Sequence, residues 1–165
     1  MEGIGMANKT VILGVTGSIA ALKVPSLIGK LKEKGWNVRV VMTENATRFL
    51  HPITLETISG NEVLCAMFHE TKTWDNSHVA LANAGPILLV APATANIIGK
   101  TAAGIADDLL SATIMAFAGR VIFAPAMNSR MWENAIVREN VQRLQQLGYL
   151  FVGPVVGKLA NGDIG

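Results

Sequence analysis

The chain has a single cysteine, Cys65, among 165 residues, so it has no internal disulfide. Aromatic residues are scarce at 5%, too few for the base-stacking platform that single-stranded nucleic acid needs. Charged residues make up 16% and the formal net charge is only +2, which gives no electrostatic footprint for nucleic acid or an acidic membrane. A long unbroken hydrophobic run is missing as well. The nearest, Ala84 to Ile98, is interrupted by Pro86 and Pro92 and carries Asn96, so it is no membrane span. Met1 to Thr10 lacks the charged-then-apolar layout of a signal peptide, and the expected location is cytoplasmic. No His/Cys/Asp cluster has metal-ligand spacing and no Ser-His-Asp order is apparent, so neither a metal centre nor a hydrolase triad is expected.

What the chain does have is apolar residues, half of the total. For one domain of this size that is a high share, and it points to surface used between subunits. Thr10 to Val15 is a β-branched run bounded by Gly14 and Gly17, as expected of a strand buried on both faces. Ser18 can cap a helix to about Lys34, with Ile19, Leu22, Leu27, Ile28 and Leu31 on its apolar side and Gly35 ending it. Asn37 to Met42 reads as a second buried strand, with Thr43 capping a short helix whose first turn holds Glu44. Pro52 to Ser59 predicts a helix started by His51, Gly60-Asn61 a turn, and Val63 to Phe68 a minor strand. Glu70 to Ser77 is polar and read as a loop, with His69 solvated beside it.

His78 opens a helical turn, and Ile87 to Val90 is the clearest buried strand. Thr94 to Ala103 is helical in tendency, and Asp107 or Asp108 caps a helix through Ala118. Val121 to Ala124 is a strand, Ser129 to Leu147 a helix broken at Asn134, and Tyr149 to Val152 a last strand. Strands alternating with helices predict a parallel sheet with helices on both faces, an α/β three-layer sandwich of Rossmann-like or flavodoxin-like type.

Three corners follow strands: Gly14 to Ala20, Thr43-Glu44-Asn45, and Ala91 to Asn96. The first is neither a Walker loop nor the dinucleotide fingerprint. Singly, each is as well explained by a helix cap or a tight turn. A fourth, Pro125-Ala126-Met127-Asn128, delivers an amide where a proline stops a buried strand. All four at one edge of one sheet make a ligand crevice the better reading. Spacing promotes none of the three histidines to a catalyst, and Met127 and Met131, four apart, read as core packing.

Gly17-Ser18-Ile19-Ala20, Pro92-Ala93-Thr94-Ala95-Asn96, Gly104 to Leu110, and Pro125-Ala126-Met127-Asn128 with Met131-Trp132 closely resemble the homo-oligomeric flavin-containing cysteine decarboxylases. That family includes phosphopantothenoylcysteine decarboxylase of coenzyme A synthesis and the lanthipeptide-type enzymes that act on a peptide's C-terminal cysteine. The resemblance implies one flavoprotein domain over residues 1–165, with residues 1–8 disordered and 153–165 a substrate flap, truncated at Gly165. It implies non-covalent FMN, met by Gly17, Ser18, Ile19, Thr43, Glu44 and Asn45 around the phosphate and ribityl chain. Thr94, Ala95, Asn96 and Ala126 would lie by the isoalloxazine. His78 matches the catalytic histidine and Asn128 the asparagine that holds the substrate carboxylate. Met127, Lys158, Leu159, Ala160 and Asn161 match substrate-side positions. The family assembles as trimers, sometimes four of them in a dodecamer, with FMN at a subunit boundary.

The implied chemistry explains the residue types. Decarboxylation leaves a carbanion with nowhere to place its charge, unless CH₂–SH is first oxidised to a thioaldehyde whose C=S lies β to the carboxylate. The flavin supplies that oxidation and the protein supplies orientation and proton handling. His78 would take the thiol proton, and Asn128 would donate N–H to the carboxylate without adding a charge that opposes its departure.

The chain departs from the family at Lys158-Leu159-Ala160-Asn161-Gly162-Asp163, where the coenzyme A enzymes carry a proton-donating cysteine at the position of Asn161. Ile97 and Ala103 also differ from many members. An amide is no proton donor, so the reaction should stop at the aminoenethiol. That favours a peptidyl C-terminal cysteine as substrate, with 4′-phosphopantothenoylcysteine the alternative; a Cys-to-Asn exchange in a coenzyme A enzyme would give the same tail. A non-catalytic FMN-binding regulatory protein is a further alternative, opposed by the presence of both His78 and Asn128. A flavin prenyltransferase shares the fold but not the Pro-Ala-Met-Asn corner.

Overall fold

A computed structural model describes residues 9–67 and 77–155. Strand β1, Thr10–Val15, is buried along its whole length, as its β-branched run demands. Ser18 then caps a 3-10 turn, Ile19–Lys23, and helix α1 follows as Val24–Glu33. The single helix expected from Ser18 is thus split. Pro25 has no N–H to offer the preceding turn, so the α-helix starts with proline in its first turn. The split also rotates the apolar face. Ala21, Val24 and Ile28 are buried, whereas Ile19 and Leu22 are 50% and 55% exposed.

Strand β2, Asn37–Met42, leads through the Thr43 cap into α2, Glu44–Thr47. Helix α3, Pro52–Ser59, starts at His51, whose Nδ1 accepts from the Ile53 N–H at 3.3 Å, and stops at Gly60 with φ +77°. Strand β3 is only Val63–Leu64, shorter than Val63 to Phe68. His69 and all but the last residue of the loop expected over 70–77 lie outside the described residues, and Ser77 belongs to helix α4, Ser77–Ala82. Strand β4, Ile87–Ala93, runs three residues beyond Val90, with a register shift against its neighbour between Val90 and Ala93.

Helix α5 is Ala95–Ala103, capped by Thr94 and closed by Gly104 at φ +71°. Asp108 rather than Asp107 caps α6, Leu109–Ala116: its carboxylate accepts from Ser111 N–H at 2.8 Å while Ser111 Oγ accepts from Asp108 N–H at 3.0 Å. Strand β5 is Arg120–Pro125. Asn134 ends α7, Ser129–Glu133, and caps α8, Ala135–Gln146, so the predicted break is a junction of two helices. Strand β6 is reduced to Leu150–Phe151.

Among the described residues, six strands run parallel in the order β3-β2-β1-β4-β5-β6. That is the Rossmann order, with its topological switch between β1 and β4. The sheet separates two apolar clusters. One packs Val24, Ile28 and Leu55 of α1 and α3 against β1 and β2; the other packs α5, α6 and α8 around Leu88 and Phe123. Phe123 stacks on Phe151 with ring centroids 5.3 Å apart, anchoring the short edge strand. Close packing has a local requirement at Gly14 near the carboxyl end of β1, where a Cβ would come within 2.6 Å of Leu110 Cδ1. Among the described residues, no helix is long and apolar enough to cross a membrane.

Candidate functional site

Four strands release the chain at the same carboxyl edge, and the loops that leave them enclose a cavity of about 560 Å³. This falls inside the range of roughly 300–1,000 Å³ for small-molecule sites. From β1 come Thr16, Gly17 and Ser18, from β2 Thr43, Glu44 and Asn45, from β4 Thr94, Ala95 and Asn96, and from β5 Ala126 and Met127. The loops are tied locally. Ser18 Oγ accepts from Ala20 N–H, Thr43 Oγ1 from Ala46 N–H and Thr94 Oγ1 from Ile97 N–H, at 3.3, 3.3 and 3.4 Å. The β1 and β2 loops also touch. A Cβ on Gly17 would sit 2.6 Å from Asn45 Cβ, so only glycine lets them meet.

Every residue that the family resemblance assigns to the cofactor lines this cavity except Ile19, which lies just beyond it and half exposed. Asn128 is exposed at the mouth of α7; its Oδ1 accepts from Arg130 N–H at 2.9 Å and caps the helix. His78 is partly buried in the first turn of α4 and does not line the cavity of its own chain. Lys158, Leu159, Ala160 and Asn161 fall outside the described residues.

The reading of Met127 and Met131 as core needs correction. Met127 is partly buried against the apolar cluster but also lines the cavity, and Met131 lines it while 48% exposed. Met131 lies on the short α7, which buries none of its residues, and Met127 on the loop that leads into it. The site further contains Thr16, Ile97, Lys100, Asp107 and Asp108, to which the sequence reading assigned no ligand role. Lys100 had a visible signal: it follows Asn96 by four on one helix and shares its face.

Lys100 Nζ donates to Asp107 Oδ1 at 2.6 Å and to Asp108 Oδ2 at 3.0 Å, pinning the loop before α6 to the last turn of α5. The hydrogen bond with Asp107 is the main cause that raises the Lys100 pKa, against the lowering effect of its desolvation, and the same bond lowers that of Asp107. A lowered carboxyl stabilises the fold above its ordinary value of 3.8 and loses that contribution as pH falls through the folded value. A raised ammonium contributes below 10.5 and loses its share as pH rises through its folded value. The clamp therefore works between those limits. Lys100→Met, which keeps the apolar stem, is expected to lower the Tm of the apoprotein at neutral pH by about 1–2 °C, as exposed pairs are weak. Melts at falling pH should show the two proteins converge once Asp107 is protonated; an equal gap at acid pH would mean that the lost term is not the ion pair.

Among the described residues, no three His, Cys, Asp or Glu side chains are placed to hold a metal. The lining instead suits an amphiphilic ligand. Hydroxyl, amide and backbone groups with the Glu44 carboxylate surround the β1 and β2 side, while the apolar Ile97, Ala126, Met127 and Met131 all come from the β4 and β5 side, beside Thr94, Asn96 and the Lys100 clamp. FMN, with a polar phosphoribityl tail and a flat tricyclic head, fits that division.

Comparison with known proteins points the same way. The family profile described as Flavoprotein matches residues 4–165. The coenzyme A biosynthesis bifunctional protein CoaBC of Bacillus subtilis (strain 168) is 44% identical over 158 residues, covering 96% of this chain and 39% of the relative. The chain thus spans about two fifths of the length of the curated relatives it matches. Among solved structures, the FMN-dependent cysteine decarboxylase SpaF is 34% identical with a TM-score of 0.85, covering 96% of this chain and 90% of SpaF. A cysteine-to-serine mutant of PPC decarboxylase complexed with pantothenoylaminoethenethiol is 30% identical with a TM-score of 0.83, covering 96% of this chain and 88% of its own.

Proposed function

The chain belongs to the flavoprotein family, and from that premise we propose that it is an FMN-dependent cysteine decarboxylase acting on 4′-phosphopantothenoylcysteine. The observation that carries the reading is the cavity itself: four loops from four parallel strands bring Gly17, Ser18, Thr43, Asn45, Thr94, Asn96 and Ala126 around one volume of a cofactor's size. The substrate is a correction to the sequence reading. Asn161 alone favours a peptidyl cysteine, but similarity to CoaBC along nearly the whole chain, together with similarity to PPC decarboxylase, favours the coenzyme A precursor.

FMN, when bound, supplies the acceptor for a hydride from the cysteine Cβ. The residues do the rest. His78 takes the thiol proton, and the sulfur lone pair that remains drives the oxidation to a thioaldehyde. Asn128 uses its Oδ1 to cap α7, which leaves its NH₂ to hold the carboxylate. An amide suits this post because a fixed cation would grip the charged carboxylate more tightly than the departing CO₂ and so oppose the reaction. The apolar Ile97, Met127 and Met131 keep water from the reacting carbon. His78 acts on the cavity of an adjacent copy in a trimer. The exposed apolar Ile19, Leu22 and Val79 supply contact surface for that neighbour.

The test is direct. Protein purified with FMN and incubated with phosphopantothenoylcysteine should release CO₂ and give a new mass, while peptides ending in cysteine should remain unchanged. Conversion of the peptides alone would return the substrate to the peptide class, and a protein unable to take up FMN would end the proposal.

A further inference from the structure

At the switch point between β1 and β4 the backbone ladder runs out. Its register pairs Val11 with Ile87 through Gly14 with Val90 and goes no further. Beyond it the two chains part, one towards α1 on one face of the sheet and the other towards α5 on the opposite face. A crevice opens there because nothing in the sheet holds the two ends at a fixed separation. One side chain does hold them. Thr16, 2% exposed, donates its hydroxyl proton to the Pro92 carbonyl at 2.7 Å and accepts the Thr94 N–H at 3.2 Å.

These bonds span 76 and 78 residues of sequence, and they replace the donor and acceptor that the next backbone rung would have offered. Thr16 also fixes its own loop, since its carbonyl accepts from Ser18 N–H at 2.8 Å. The wall formed by Gly17 and Ser18 is therefore tied through one buried hydroxyl to the wall formed by Thr94, Ala95 and Asn96. The β2 loop is drawn into the same frame by the contact of Gly17 with Asn45.

We infer that Thr16 is a positioning residue for the flavin: its hydroxyl sets the spacing of the cavity walls before the cofactor arrives. This rests on the reading of the cavity as an FMN site and goes beyond it, because Thr16 acts through Gly17 and Thr94. The chemistry makes the role specific. A hydroxyl both donates and accepts, and here each function has one partner. Valine has the same shape and neither function, so it leaves the Pro92 carbonyl and the Thr94 N–H unpaired in the cavity floor. Serine keeps both functions and loses only a methyl group.

The experiment compares wild type, Thr16→Val and Thr16→Ser as apoproteins, titrated with FMN and followed by quenching of flavin fluorescence. Thr16→Val should raise the Kd by roughly 10–100-fold, while Thr16→Ser stays within about threefold of wild type. Amide hydrogen exchange of the same apoproteins supplies a readout that needs no flavin. The Thr94 N–H should be protected in wild type and Thr16→Ser and exchange quickly in Thr16→Val. Equal FMN affinity of the valine variant, equal loss in the serine variant, or Thr94 protection that survives in valine each overturns the inference. A wild type that shows Thr94 protection but takes up no FMN overturns the flavin reading, and with it the positioning role, while leaving the bridge itself standing.

Discussion

His78→Asn is expected to leave FMN bound and to abolish decarboxylation, lowering kcat by roughly 10²–10⁴-fold, the usual contribution of a positioned general base. Asparagine retains a polar side chain of similar reach but cannot accept a proton at neutral pH. The substitution should not unfold its helix. Helix α4 is anchored by Leu81 and Ala82, 1% and 7% exposed, whereas His78 is only partly buried at the other end. Binding should survive too, because the groups assigned to the cofactor come from the loops after β1, β2, β4 and β5 and not from α4. Unchanged flavin absorbance with a collapsed kcat and a nearly constant KM is therefore the expected signature. Turnover within a fewfold of wild type would transfer the base to another group.

The second large effect concerns the product. With Asn161 in place, phosphopantothenoylcysteine should lose CO₂ and two hydrogens, once per bound FMN or repeatedly where dissolved oxygen would reoxidise it, and accumulate as the aminoenethiol. Asn161→Cys should restore a proton donor and shift the major product to the saturated thiol, which has lost CO₂ alone. The physical difference is acidity. A thiol titrates near 8.5 and could donate the proton that saturating the enethiol with reduced FMN would require, while a carboxamide does not ionise in water at any ordinary pH. Mass spectrometry separates the two products. Saturated thiol from the unmodified chain, or enethiol alone from Asn161→Cys, would show that the proton comes from elsewhere.

The central strands were legible because their environment leaves so little choice. Thr10–Val15 and Asn37–Met42 are apolar runs between turn residues, and the structure bounds them as expected. Pro52–Ser59 was equally plain, with proline at its start and glycine at its end. The edge strands were expected where they are, but longer, because two-residue β3 and β6 are limited by the pairing their partner strands offer rather than by their own pattern. Ile19 and Leu22 fit a helical stripe, and only the break before Pro25 turned them outward. At the site, the four corners could be read as caps at strand ends, and their convergence followed from the parallel topology. Lys100 could be placed on the Asn96 face of its helix, but its partners could not, nor could the parts played by Asp107 and Thr16. Their roles come from contacts between elements, and in the case of Thr16 from residues more than seventy positions away.

Helix α7 is fastened by two asparagines, Asn128 at its start and Asn134 at its end, and keeps no fully buried side chain. Its steadiest lateral support is Trp132, half-buried on the apolar cluster beneath the Arg138 guanidinium, 5.1 Å from the ring. Substitutions deep in the interior should therefore reach the amide of Asn128 chiefly through Trp132. Whatever presses on the outer side of that short turn should shift its aim directly, and the grip proposed for it on a carboxylate would then be adjustable from the surface.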